Sequence, residues 1–314
     1  MQKSFVIIAI GLLALVAANE QDETAREKFQ RAAQNVINNN RAAGRVRAAP
    51  AVADADLQAA TQKMYELDLQ GNASPPKNRQ INTRSTNGKL FLDAAGTLAK
   101  VQDKPTYKAF IALLDNYEPA LGTAEAVNPQ EVAEQNAFLD EILKTPVLQK
   151  AFDYLKSKGK VTTPASFKAL LNKIWFTIYR RRGQPDTSGF EHAFVGEIEG
   201  PEATSAVTGF HNWIRLAQQE AAGKSQYIKY SGYGNPVADL VGMKFKWLGR
   251  EKIKSTIAIG ESPEMSIAIN TICFLMAPNA ECKVKLGGDV VSIQTYAWDN
   301  RYPAEQYVAS AYYN

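Results

Sequence analysis

The 314-residue chain is poor in the side chains that do much of enzymatic chemistry, with two histidines and two cysteines in all. Two imidazoles are a thin metal-ligand set, and the His-Glu-x-x-His spacing of zinc hydrolases is absent. No Gly-x-Ser-x-Gly elbow is present, which argues against a serine hydrolase, and neither common glycine-rich phosphate loop occurs. A cysteine nucleophile would need an accessible Cys273, whereas Phe274 and Leu275 beside it point to burial. An excess of one charge is also missing. The formal net charge is +4, and it drops by one if a leader carrying Lys3 is removed. That mild balance permits a polyanionic ligand without calling for one. Long apolar runs are lacking except at the start, where Lys3 precedes the run Phe5 to Val16 and small residues follow. This pattern reads as a signal peptide over 1–18, cleaved near Ala18, and too short for a membrane span. The expected mature protein is therefore secreted, with no membrane span. In an oxidising compartment Cys273 and Cys282 fit either a disulfide between a helix end and the next strand or two buried thiols. Asn72-Ala73-Ser74 is a glycosylation sequon weakened by Pro75.

What is present divides the rest of the chain in two. Residues 19–52 are rich in Ala, Gln, Asn and Arg and hold few large apolar side chains, so they read as a linker or frayed helical segment. From 53 onward apolar periodicity begins. Leu57, Met64, Leu67 and Leu69 predict an opening helix, followed by a loop at 71–78. Pro105, Asn128-Pro129 and Pro164 each mark a helix start. Later the pattern predicts a helix over 203–221 and one from Ser262-Pro263-Glu264, among strands at 190–195, 243–248, 255–260, 283–286, 290–296 and 306–312. Gly287-Gly288-Asp289 supplies a hairpin turn. The fold class is thus α+β, with a helical N-terminal half followed by antiparallel β-sheets with packed helices.

The two histidines lie nineteen residues apart, His192 among aromatics in a strand-like run and His211 on the predicted helix. Either one alone is as well explained by packing. A pair suits cleavage of RNA, which carries its own nucleophile in the 2′-hydroxyl. One imidazole removes that proton, the other protonates the departing 5′-oxygen, and a lysine stabilises the added negative charge. Lys252 and Lys254 are the candidates, and in a regular strand both would point to one face. Glu191 and Glu197 are acids close to His192. A metal hydrolase built from His192, His211, Glu191 and Glu197 is the competing arrangement. Tyr230, Tyr233, Tyr296 and Trp298 offer stacking surfaces for bases, although such aromatics also build cores.

Ser188-Gly-Phe-Glu-His-Ala-Phe-Val-Gly-Glu197, Gly209-Phe-His-Asn-Trp213 and the stretch Trp247 to Glu264 resemble the signature blocks of the EndoU family, the poly(U)-specific endoribonucleases. Pro105 to Phe110, Leu114 to Tyr117, Trp175-Phe176 with Tyr179, and Thr271 to Leu275 extend the resemblance, which covers about 53–314. It implies an EndoU-like fold and a metal-dependent endoribonuclease of the RNA lyase type. Single-stranded U-rich RNA would be cut by 2′-OH transesterification, leaving 2′,3′-cyclic phosphate ends. His192, His211 and Lys252 fall on the catalytic set, with His192 as acid and His211 as base. Glu191 and Glu197 fall on supporting acids, Thr295 and Tyr296 lie near uridine-contacting positions, and Lys254 is the second-choice lysine. A divalent cation is implied, Mn²⁺ first and Ca²⁺ as the alternative, with ligands that residue type does not identify. The expected assembly is a monomer. The rival reading is a catalytically silent, secreted RNA- or anion-binding protein on the same fold.

Overall fold

Cap-then-proline pairs set where several of the helices begin. The computed structural model describes residues 54–74, 80–200, 204–232, 234–235, 238–301 and 304–314. The expected signal peptide and the segment 19–52 lie outside the described residues, as does Tyr233. The helical part comprises α1 (Ala55–Gly71), α2 (Ala94–Ala99), α3 (Pro105–Ala112), α4 (Pro129–Leu143), α5 (Pro146–Ser157) and α6 (Pro164–Phe176). Asn128, Thr145 and Thr163 cap α4, α5 and α6, and proline follows each cap. The cap side chain accepts an amide hydrogen that the helix cannot satisfy, and proline fixes the first helical φ while lacking the N–H that would go unpaired.

Two short hairpins follow, β1 (Tyr179–Arg180) with β2 (Pro185–Thr187) and β3 (Glu197–Glu199) with β4 (Ala206–Thr208). Then come α7 (Trp213–Ala221), β5 (Ser225–Tyr230), β6 (Leu240–Trp247), β7 (Arg250–Ala258), α8 (Pro263–Met276), β8 (Glu281–Leu286), β9 (Asp289–Arg301) and β10 (Ala304–Tyr313). Two antiparallel sheets result, ordered β5-β6-β7 and β10-β9-β8. Gly287 and Gly288 both take positive φ in the two-residue turn between β8 and β9, as the glycine pair requires. The α+β arrangement expected from the sequence is the one observed. No helix among the described residues is long and apolar enough to cross a membrane.

Two expected elements differ. Residues 190–195 are not a strand: Glu191–Val195 form one wide helical turn, in which the Gly196 amide donates to the Glu191 carbonyl (2.9 Å). Ser188 starts it by accepting from the Glu191 amide (3.1 Å). Every residue from Asp186 to Gly196 is buried, so alternation of exposed and buried positions carries no strand signal there. The helix expected over 203–221 is real only from Trp213, because β4 occupies Ala206–Thr208 and Gly209 and Phe210 adopt positive φ. Asn212 is its cap, accepting from the Arg215 amide at 3.0 Å. His211 therefore precedes the helix rather than riding on it.

An aromatic cluster fixes the helical turn against the N-terminal helices. Phe110 of α3 lies 5.5 Å from Phe190 and 6.0 Å from Phe194, and Phe138 of α4 lies 6.1 Å from Phe190. Trp175 and Phe176 of α6 approach Phe194 and Phe190 to 5.2 and 5.0 Å. Such ring pairs add to the gain from burial and favour one geometry. Cys273 and Cys282 form a disulfide joining α8 to β8, with Cα atoms 5.5 Å apart. Cross-linking a loop of that length stabilises by about 3 kcal/mol. Serine at both positions should lower unfolding free energy by that amount in urea titrations, with reduced wild type shifting to match.

Candidate active site

The two histidines meet through the main chain. The amides of Phe210 and His211 donate to the carbonyls of His192 (3.0 Å) and Ala193 (2.8 Å), laying residues 209–211 along the end of the helical turn. Gly209 makes this approach feasible, since a Cβ there would sit 1.7 Å from the His192 carbonyl oxygen. Phe210 holds φ +61 without being glycine. Its ring packs edge-on against Phe245 and Trp247, each 5.1 Å away, and that packing offsets the roughly 1 kcal/mol cost of the left-handed conformation.

His192 is buried, and its Nδ1 lies 2.7 Å from Glu197 Oε2. Arg181 Nη1 lies 2.8 Å from the same carboxylate oxygen and 3.1 Å from Nδ1. Thr187 and Thr208 hydroxyls also donate to Glu197. Burial alone would oppose its ionisation, but Arg181, followed by His192, outweighs that and holds the carboxyl well below the usual range. An ionised acceptor at Nδ1 fixes the proton there and assigns chemistry to Nε2. Arg181 is itself held by Tyr179 Oη (3.1 Å) and the Ala309 carbonyl (3.3 Å).

His211 is half-buried, and its Nδ1 lies 3.1 Å from Ser255 Oγ. That hydroxyl donates its hydrogen to the Phe210 carbonyl (3.1 Å), so toward the imidazole it acts as acceptor. The proton therefore sits on Nδ1 and the lone pair on Nε2. Burial, then the positive charge of Lys252, then His192, push His211 well below its ordinary value against a backbone contact with Thr256 that favours the charged form. His211 is neutral at pH 7. Its ring stacks on Tyr312, with centroids 4.7 Å apart and planes at 12°.

Lys252 reaches this site because β7 is irregular. Met243 pairs with Ser255 and Phe245 with Lys252, so β7 spends three residues where β6 spends two. The bulge puts Lys252 and Ser255 on one face despite their odd spacing, and turns Lys254 to the other. The sequence expectation that Lys252 and Lys254 share a face fails for that reason. Lys252 is buried at 8 % exposure and Lys254 is exposed.

Other expected residues are placed differently. Glu191, next to His192 in sequence, is buried. Its Oε2 has no hydrogen-bond partner, and burial, then Glu197, push it well above the carboxylate range. Thr295 is fully buried, and its hydroxyl donates to the Ala277 carbonyl at 2.6 Å, holding the end of α8. Tyr296 is half-buried, with its ring 6.5 Å from Tyr312. Trp298 stacks on Tyr179 at 5.1 Å. Sequence reading missed Arg181, Ser255 and Tyr312. Arg181 is hidden in the Arg180-Arg181-Arg182 run, which looks like solvated surface, and the other two carry no motif of their own.

The geometry brings together groups able to take up a proton, give up a proton and offset negative charge: an imidazole held below its ordinary pKa, a second imidazole on a carboxylate, and a lysine. The family profile described as Endoribonuclease XendoU matches residues 47–313. Among curated proteins, uridylate-specific endoribonuclease D of Xenopus laevis is 39 % identical over 275 residues, covering 83 % of this chain and 89 % of its own length. Uridylate-specific endoribonuclease B of Danio rerio is 38 % identical over 251 residues, covering 77 % and 87 %. The solved structure of XendoU, described as a splicing independent snoRNA processing endoribonuclease, superposes with a TM-score of 0.67 at 30 % identity. It covers 83 % of this chain and 97 % of that one. The chain belongs to the XendoU endoribonuclease family, and it is an enzyme of that class.

Proposed function

We propose that the protein is a secreted, uridylate-specific endoribonuclease that cuts single-stranded RNA by transesterification, leaving 2′,3′-cyclic phosphate ends. What supports the reading is the setting of His211: its Nδ1 lies 3.1 Å from Ser255 Oγ, and burial with the charges of Lys252 and His192 holds it below its ordinary value. Nε2 of His211 takes the 2′-hydroxyl proton, and the 2′-oxygen attacks the adjacent phosphorus. The bond to the 5′-oxygen breaks as that oxygen takes a proton from Nε2 of His192, while Lys252 offsets charge on the phosphorane. Glu197 stabilises the imidazolium form of His192 that has this proton to give. Tyr312, stacked on His211, is a platform for the base, with Tyr296 beside it. End-group analysis of fragments from a U-rich RNA tests the reading; RNA bound in a salt-dependent way with no product would overturn it in favour of a silent binder. The disulfide between Cys273 and Cys282 supports an oxidising destination. Secretion of a tagged full-length chain, with sedimentation of the product as a monomer, checks that part.

The cation the family implies, Mn²⁺ or Ca²⁺, needs hard oxygen donors. No group of three or more His, Cys, Asp or Glu side chains among the described residues has metal-binding geometry. Glu197 is already committed to Arg181 and His192. A better fit lies where α1 meets the start of α8. Asp68 Oδ1, Glu264 Oε2 and Tyr107 Oη are all buried there without hydrogen-bond partners. Burial, with Glu264 and Glu261 nearby, pushes Asp68 up to about 7. Two carboxylates completed by carbonyls and water match a Ca²⁺-like donor set. Such an ion supplies charge neutralisation that joins the two helices when bound. Asn72 Nδ2 of the sequon is committed here as well, donating to Glu264 and to Thr106 Oγ1, so a glycan would displace one of these bonds. Adding Ca²⁺ or Mn²⁺ should raise the melting temperature of wild type and leave that of Glu264→Gln unchanged; equal shifts in both would remove this site.

A further inference from the structure

The sheet β5-β6-β7 has a second face that the site does not use. Lys252, Ser255, Met243 and Phe245 point to the His211 side, so residues at the alternate positions of β6 point away. On that reverse face Lys229 of β5 pairs directly with Lys244 of β6, and the β7 bulge sets Lys254 against Lys244 from the other side. Lys246 lies two residues along the same face, between Gln226 and Glu251. Among the described residues of this sheet Glu251 is the one acid on that face, and it pairs with Lys244 at 3.2 Å. Lys229, Lys244 and Lys254 thus form a row of cationic side chains across the three strands. Lys229 and Lys254 are exposed and Lys246 is half-exposed.

Tyr230 links this face to the site. It pairs with Met243, whose other partner is Ser255, the residue bonded to His211. Tyr230 therefore lies on the site face, two strand spacings or about 10 Å from Ser255. Its ring is 45 % exposed, and Lys229 is the next residue around the edge. We propose that Tyr230 and the lysine row form an outer track for single-stranded RNA. A base beyond the cleaved linkage stacks on Tyr230, and the following phosphates turn over the sheet edge onto Lys229 and Lys246. The inference rests on the RNA-cleaving reading above and adds a remote contact that only a longer substrate reaches.

The test compares a long U-rich RNA with a uridylyl dinucleotide, using wild type, the double variant Lys229→Gln/Lys246→Gln, and Tyr230→Ala. For the long RNA, KM should rise several-fold in the double variant, and the slope of log KM against log salt should fall by about 1.4, from 0.7 per lost single-strand phosphate contact. Tyr230→Ala should raise KM for long RNA about tenfold, the scale of one lost base stack. Cleavage of the dinucleotide should stay at the wild-type rate in both. Equal effects on the two substrates, or an unchanged salt slope, would overturn the track. If wild type cuts the long RNA and the variants match it, only this inference fails. Should wild type cut neither substrate, anisotropy of the labelled long RNA still decides the matter, since the track predicts weaker binding by both variants.

Discussion

Replacing His211 with alanine is expected to lower kcat on a U-rich RNA by about 10³-fold, within the range for loss of a positioned base. The loss should fall on kcat rather than KM, because Lys252 and Tyr312 remain to hold the substrate. The wild-type pH profile carries the same information. Burial, Lys252 and His192 hold His211 below the 6.5 of an ordinary imidazole, so the base form persists below that pH and the acid limb of kcat/KM lies there. Lys252→Gln removes one of those charges and should move the limb upward while slowing the reaction. Linkage gives the matching sign for stability. Below pH 6.5 the unfolded chain protonates this imidazole while the folded protein resists, so its contribution is present above 6.5 and lost as pH falls. A His211→Ala protein that cuts within tenfold of wild type would remove the residue from the mechanism.

Glu197→Ala should cost both stability and rate. Arg181 has 6 % of its side chain exposed and would be left as a buried cation without its acid. Removing one member of such a pair costs about 3–5 kcal/mol. His192 would also lose the acceptor that sets its tautomer, and a rate loss of about 10²–10³-fold follows. Glu197→Gln separates the two effects, because its carbonyl can still accept from Nδ1 but carries no charge. Urea titration should place Gln between wild type and Ala in stability. Kinetics on folded protein should show a smaller rate loss for Gln than for Ala. Because Glu197 is held below its usual range in the fold, its stabilisation is present above about pH 4.5 and is lost as pH falls. Wild-type turnover by folded Glu197→Ala would rule out the positioning role.

The sequence was most readable where local chemistry decides structure. Asn128-Pro129 and Thr163-Pro164 announce helix starts through cap and ring geometry, and Gly287-Gly288 announces its turn through positive φ. His192 and His211 could be picked out because imidazole is scarce here and because the blocks around them resemble a known family. Readability failed where tertiary contacts decide. The aromatic turn 190–195 is enclosed on all sides, so its pattern has no exposed face from which to infer a period. Lys252 and Lys254 are equivalent in a regular strand, and only a bulge set by pairing with β6 separates them. The burial of Thr295, whose hydroxyl donates to the Ala277 carbonyl, likewise depends on how α8 packs on β9. Arg181 joins the site through contacts with Glu197 and Ala309, respectively 16 and 128 residues away along the chain.

The two amide hydrogen bonds from Phe210 and His211 act as a fixed gauge between the imidazoles. Residues 200–205 separate β3 from β4 in sequence. Insertions or deletions there would alter how many residues separate His192 from His211 without altering their distance in space. Homologues can therefore differ in that count and keep the same chemistry, whereas a side chain added at position 209 would spread the pair apart.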